Sequence, residues 1–548
     1  MTCLIGIDVG TGSARAGVFD RSGALLGTAS APIPSSSPRP DYFQQSSADI
    51  WKAVRACVRA AIGQAGCDAS DIDGIGFDAT CSLVVSGAGG APVSVSPDGQ
   101  PDQDVILWMD HRAVADADAI TATGAQVLSY VGGRISPEMQ MPKLRWLKRE
   151  LPKSWARATR FWDLPDWLVH RATATETRSL CSAVCKWTYL GQKGTNGEGW
   201  DDAFLETIGL ADLADDDHIA IGNRFAAPGA RAGLLTEKAA AGLGLRAGIA
   251  VASGMIDAYA GALGTLGVRD DAGVTDHAGR LALIAGTSTC HIAVSADPTF
   301  VPGVWGPYHS VLMPGLWANE GGQSAAGALI DSVLGRHAAM AGLSRDGKTA
   351  SAARKLEDRL SQMAADTAFL TTDRHVQPDF HGNRSPLAEP WRRGAISGLT
   401  LEAGTDDLAL DYLATVQALA YGTRQIVEAM RRQGVAVDTL VVSGGLARNR
   451  LYLREHADAT GCRVLVPEQV EPVLLGSAMM AAVACGVFAD LATAMAAMSG
   501  GGDAIAPRGG AVGAYHDAKY RVLRKMQDDF AEYRAIMADA GAQGMGEN

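Results

Sequence analysis

Two short turns of glycine and small hydroxyl residues stand out in the chain: GTGS at Gly10, Thr11, Gly12 and Ser13, and GTST at Gly286, Thr287, Ser288 and Thr289. Glycine lets the backbone approach an anion closely and the hydroxyls add donors, so such turns can cradle phosphate. Asp8 stands just before the first turn. A carboxylate there repels phosphate unless a cation lies between, which makes Asp8 a candidate to hold Mg²⁺, directly or through water. As a strand-end turn residue it would need no ligand at all. Asp257 stands at the corner between IAVASG and a following Ala- and Gly-rich helix, placed to accept a proton as general base; a helix N-cap is its ordinary structural reading. In TLVVSGGLARNRLYLREHAD, Gly444 and Gly445 form a strand-to-helix corner that could admit a flat ligand such as adenine, although tight packing explains most such corners.

Further polar groups interrupt apolar surroundings: Asp78 in GFDATC, Trp108, Asp110 and Arg112 in ILWMDHRA, Lys186 in CSAVCKWTYL, and Glu320 and Gln323 in NEGGQSAAG. A polyol presents many hydroxyls, and paired donors and acceptors discriminate among polyols because an unpaired partner is costly. Taken singly, each of these residues reads equally as half of a satisfied salt bridge.

These residues need elements to carry them. The opening reads as a meander: CLIGIDV, the GTGS turn, ARAGVFD, then Gly23 turning into LLGTAS. IWKAVRACVRAAIGQAG has helical spacing, and IDGIGFDAT reads as a buried strand. From Leu281, LALIAGTSTCHIAVSA repeats the strand, Gly-Thr-Ser turn and strand of the opening, which suggests duplicated domains offering two hairpins to one anion. VRDDAGVTDHAGR from Val268 is polar enough to separate the halves, giving domains at 1–267 and 268–500 with a helical extension at 501–548. In that extension, DAKYRVLRKMQDDFAEYRAIMADA places Tyr, Leu, Met and Phe on one face, which either packs back on the domain, the preferred reading, or forms a homodimer contact. GLSRDGKT at 342–349 fits a Walker A pattern but follows a helical stretch, and GLGLRAG from Gly242 precedes its strand; neither context suits the motif.

At 548 residues the chain exceeds one hydrophobic core, and 47% hydrophobic with 20% charged residues and 64 glycines fits an α/β enzyme. A net charge of −12 without a basic stripe argues against nucleic acid or anionic lipid and leaves small molecules. Nine cysteines form no CxxC pair. Cys3, Cys57, Cys81, Cys290 and Cys485 lie in apolar runs, which suits a reducing cytoplasmic compartment. MTCLIGIDVG lacks the features of a signal peptide. The apolar run from Leu474 is broken by Asp490 and predicts a buried helical pair, not a membrane span.

DVGTGS, AGTST and VSGGLARN at these separations resemble the FGGY carbohydrate kinase family. GFDATCSLVV, ILWMDHRA, MPKLRWLKRE, SLCSAVCKWTY, NEGGQSAAG and DFHGNRSPLAEP are similar to its ribulokinase branch, D-ribulokinase-type members above all. The resemblance implies two duplicated actin-like (ribonuclease H-like) ATPase domains with a catalytic cleft between them. It implies a catalytic base at Asp257, phosphate contacts at Gly10–Ser13 and Gly286–Thr289, adenosine contacts at Gly444, Gly445 and Asn449, and substrate contacts at Cys81, Lys186 and Glu320. Gln323 is grouped with the ATP-binding residues, and Asp78, Trp108, Asp110 and Arg112 with the sugar-binding ones. One departure from the family signature is Gln140, where a small residue or proline is usual, and it bears on substrate choice. The implied reaction carries the γ-phosphoryl group of ATP, with Mg²⁺, to a ketopentose as hinge closure excludes water, yielding ribulose 5-phosphate and ADP. L-ribulose, xylulose, ribitol and glycerol remain alternative acceptors. An actin-like scaffold or a silent sugar sensor remains an alternative of another class.

Overall fold

The computed structural model describes residues 2–270, 273, 277–343, 349–469 and 471–545. The chain divides into two compact units. The first comprises Met1–Ala278, Ile292–Glu320 and Pro467–Gly502; the second comprises Gly279–His291, Gly321–Val466 and Asp503–Asn548. Two later segments thus fold with the first unit, so divisions drawn at 268 and 500 along the sequence do not coincide with the units.

In the first unit the opening residues form the expected meander. Cys3–Val9, buried at every position, pairs antiparallel with Ser13–Phe19, which pairs antiparallel with Leu25–Pro32. On the other side of the first strand Ile72–Ala79 enters in parallel, with Ile5 opposite Ile75 and Asp8 opposite Asp78. The helix Ser47–Ala65 makes the crossover. It buries Ile50, Val54, Cys57, Val58 and Ala61 at spacings of three and four, and it ends where Gly66 takes φ 65°. Ala250–Ala252 and Met255–Ile256 also run parallel to Ile72–Ala79, with Met255 opposite Asp78, before the chain turns into the helix Asp257–Leu266. Asp8, Asp78 and Asp257 therefore arrive together at the carboxyl ends of neighbouring parallel strands, the edge at which open α/β sheets bind ligands.

The helix Pro472–Ala484 explains why a distant segment belongs to this unit. A Cβ on Gly6 would lie 2.0 Å from the Leu474 carbonyl oxygen, one on Gly76 1.9 Å from that of Ser477, and one on Gly264 1.9 Å from that of Pro472. Backbone-to-backbone contact with the sheet and with the helix Asp257–Leu266 requires small residues on both sides. A second helix, Leu491–Met498, follows and is capped by Asp490, whose Oδ1 accepts from the Thr493 N–H at 2.7 Å. The helical pair expected from the sequence is thus present, the first helix buried along nearly its whole length and the second on one face through Leu491, Ala494, Met495 and Met498. Among the described residues no helix is long and apolar enough to cross a membrane.

A small antiparallel sheet of Gln44–Gln45, Val105–Ile106, Leu83–Gly87 and Ala158–Asp163 supports the stretch containing Trp108, Asp110 and Arg112.

The second unit repeats the opening pattern. Arg280–Ala285 and Thr289–Ser295 are neighbours joined by residues 286–288, and Thr439–Ser443 lies parallel to the first of them with Leu281 opposite Leu440. Tyr520 and Leu523 of the final helix, Gly510–Met545, pack with Ala420, Tyr421 and Ala459 of the same unit. The Walker-like match falls mainly on residues 344–348, and part of the polar stretch at 268–280 on 271, 272 and 274–276; all of these lie outside the described residues. GLGLRAG runs from the end of the helix Glu237–Leu243 into the turn before Ala250–Ala252, ahead of its strand.

Candidate active site

In the first unit Asp8, Asp78 and Asp257 form an acidic group. Asp78 is fully buried. Its Oδ2 accepts from Ser477 Oγ at 2.6 Å, while its Oδ1 has no hydrogen-bond partner among the described residues. Burial, and next the Asp8 charge, push its pKa well above the carboxylate range. Asp257, half-buried in the first turn of its helix, does not cap it: its Oδ1 accepts only from the adjacent Ala258 N–H, at 2.7 Å. Burial and the charge of Asp8 raise its pKa to about 7, against the opposing pull of Lys186.

Arg15, which sequence reasoning missed, donates from Nε to Asp8 Oδ2 at 2.7 Å and from Nη1 to Glu471 Oε2 at 3.1 Å. Its signal was available, since Arg15 is the cross-strand partner of Asp8 in the first hairpin. Glu471 had none, being 456 residues from Arg15.

The first hairpin closes through Gly10 N–H donating to the Ser13 carbonyl at 3.0 Å. A Cβ on Gly12 would meet nothing within 4 Å, so its glycine leaves open space at the turn. Trp108 belongs to this turn rather than standing apart, with Nε1 donating to Thr11 Oγ1 at 3.0 Å.

Lys186 and Glu320 are both buried and face each other with Nζ to Oε1 at 3.6 Å; Lys186 Nζ also lies 4.3 Å from the Trp305 ring centre. Burial works against the lysine's charge, yet Glu320 and its neighbours hold its pKa above the ordinary value. Among the described residues Glu320 Oε2 has no hydrogen-bond partner, an acceptor that a hydroxyl could fill. Cys81 is buried, and burial pushes its thiol up, so the neutral S–H is its working form.

Asp110 and Arg112 depart from the sequence expectation. Their side chains have no exposure. Asp110 accepts from the Phe43 N–H at 2.6 Å and from Arg112 Nε and Nη2 at 2.8 and 2.7 Å; Arg112 Nη1 donates to the Val95 carbonyl, and the guanidinium stacks on Tyr42 and Trp146. With these valences spent on protein partners, the pair braces the small sheet and offers nothing to a sugar.

In the second unit the turn at Gly286 closes on the Ser288 carbonyl at 2.9 Å, and the Thr287 carbonyl accepts from the Ala326 N–H at 2.8 Å. Thr287 is exposed and Ser288 partly so. Three further residues of the expected nucleotide-binding set also make structural contacts. Gly444 is glycine for packing: φ is 89° and a Cβ would lie 2.5 Å from the Ala285 carbonyl oxygen, whereas Gly445 faces open space. Asn449 caps the helix Arg450–Thr460 through Oδ1 and donates to the Tyr412 hydroxyl at 2.6 Å. Gln323 donates to the Leu419 carbonyl at 2.8 Å.

Asp8 supplies a hard carboxylate oxygen of the kind that suits Mg²⁺, whereas Asp78, with its pKa pushed well above the carboxylate range, is the weaker donor. Among the described residues the one tight triplet of ligating side chains is His337, Asp407 and Asp411, in the second unit. There Arg374 is already ion-paired to both carboxylates, so that group is a salt-bridge network.

The profiles of the FGGY family of carbohydrate kinases match this chain over residues 3–264 for the N-terminal domain and 281–485 for the C-terminal domain. A human FGGY carbohydrate kinase domain-containing protein is 48% identical, over 98% of each chain. A D-ribulokinase of Saccharomyces cerevisiae is 41% identical over 88% of this chain and 71% of its own. A xylulose kinase structure from Rhodospirillum rubrum has the same fold, with a TM-score of 0.78 at 22% identity over 97% of this chain and 99% of that one.

Proposed function

Because the chain belongs to the FGGY family of carbohydrate kinases, we propose that it transfers the γ-phosphoryl group of ATP to a hydroxyl of a ketopentose, D-ribulose in the first instance, with Asp257 as general base. The observation that carries this reading is Asp257 itself: a half-buried carboxylate with a pKa of about 7, uncommitted to a cap, in the same unit as the buried Lys186–Glu320 pair. D-ribulose is chosen from the 41% identical relative named for that activity.

Lys186 and Glu320 hold the sugar by donating to and accepting from its hydroxyls, and Cys81 borders it. Asp257 accepts the proton of the reacting hydroxyl as that oxygen bonds to the γ-phosphorus. The bond from the γ-phosphorus to the bridging oxygen breaks, the electron pair leaves with ADP, and the proton later passes from Asp257 to solvent. The turn at Gly10–Ser13 in the first unit and that at Gly286–Thr289 in the second each carry backbone and hydroxyl donors of the kind that hold phosphate. Mg²⁺, which Asp8 would hold, would supply neutralising charge to the phosphates when bound.

ADP release with ATP and Mg²⁺ tests the reading, using D-ribulose, L-ribulose, D-xylulose, ribitol, glycerol and no sugar. The expected result is strong stimulation by D-ribulose that Asp257→Ala abolishes. Turnover indifferent to every sugar would overturn it in favour of a scaffold.

A further inference from the structure

The residues proposed to meet the sugar come from separate segments: Cys81 from the turn after Ile72–Ala79, Lys186 from the end of the helix Leu180–Lys186. One buried side chain ties the two together. Gln140, fully buried at the start of the helix Gln140–Glu150, donates from Nε2 to the Cys81 carbonyl and to Asp163 Oδ2, both at 2.9 Å. The same Asp163 oxygen accepts from Trp187 Nε1 at 3.0 Å, and Trp187 directly follows Lys186. The linkage runs from the Cys81 backbone through Gln140, Asp163 and Trp187 to Lys186, and every member is buried.

Among the described residues Gln140 Oε1 and Asp163 Oδ1 have no hydrogen-bond partner. A buried orphaned acceptor is a cost that an apolar residue at either position would avoid, so the pair is an expensive way merely to fill space. Its distinguishing product is a fixed separation between Cys81 and Lys186. Pentuloses differ in the direction of one or two hydroxyls, and a misplacement of about 1 Å can change a rate by about 100-fold.

We infer that Gln140 and Asp163 form a positioning pair that sets the spacing of Cys81 and Lys186, and through it which pentulose stereoisomer is accepted. The inference rests on the kinase reading above.

Gln140→Met is the test variant, since it keeps the volume but removes both donated hydrogen bonds. Kinetics with D-ribulose, L-ribulose and D-xylulose should show KM for the preferred sugar rising about tenfold or more and the preference between sugars shrinking by a similar factor, within the scale set by small misplacements. KM for ATP should stay within about twofold. Should Gln140→Met fail to fold, Asp163→Leu, which keeps a similar size but removes the oxygen that accepts from Gln140 and Trp187, takes its place and should shift the sugar preference in the same direction. Unchanged ratios of kcat/KM between the sugars, or a fall in kcat equal for all sugars, overturn the positioning role while leaving the kinase reading intact. A wild-type protein that responds to no sugar overturns both.

Discussion

Asp257 and Lys186 show how burial decides what a side chain can do. With its pKa raised to about 7 by burial and by the charge of Asp8, Asp257 can serve as the proposed base only when deprotonated. The limiting kcat/KM for sugar should therefore rise with pH through about 7 and level off above it. Asp257→Asn should be slower by about 10³-fold, within the range for a lost general base, and should lose this ascending limb. A wild-type profile that stays flat between pH 5.5 and 8.5 would remove the assignment. Lys186→Met strands the Glu320 carboxylate in a buried setting and should cost about 3–5 kcal/mol in urea unfolding. Adding Glu320→Gln should restore most of that stability and none of the sugar-dependent turnover. Restored turnover would show that the pair serves only the fold.

At the scale of elements, the acidic edge depends on the helix Pro472–Ala484 lying in backbone contact with the strands beneath it. Gly76→Ala would drive a Cβ to 1.9 Å from the Ser477 carbonyl oxygen, and overpacking of this kind costs about 1–3 kcal/mol or more. Because Ser477 also hydrogen-bonds Asp78, the same shift should lower kcat, whereas Gly12→Ala, with open space around it, should leave stability nearly unchanged. Equal unfolding midpoints for Gly76→Ala and wild type would refute the contact argument. The meander, the crossover helix and the repeated hairpin were legible in the sequence because period and glycine placement are local signals. The return of Pro467–Gly502 to the first unit was not, since Gly6, Gly74 and Gly76 announce small residues without saying what approaches them. Asp110 and Arg112 misled for a related reason: a buried ion pair that braces a sheet has the same composition as one that binds a polyol, and only the Phe43 and Val95 backbone partners tell them apart. Asn449 and Gln323 read as candidate ligand contacts in the sequence, which could not show the helix-cap and carbonyl bonds that each also makes.

For the molecule as a whole, the division of labour between the units is the property with a consequence in solution. Cys81, Lys186, Asp257 and Glu320 all belong to the first unit, as does the first phosphate hairpin, whereas the second hairpin and Gly445 belong to the second. The set proposed to face the sugar thus lies within one unit, and on this reading needs no nucleotide to assemble it. D-ribulose alone should therefore bind and stabilise the protein by mass action, by about 2.7 kcal/mol at a concentration 100 times its Kd. Thermal unfolding without ATP reads this directly: the midpoint should climb with D-ribulose in wild type, and Lys186→Met should not respond. Were stabilisation by D-ribulose to require ATP or ADP, the sugar site would have to be built from both units at once, and the assignment of its contacts to the first unit alone would fall.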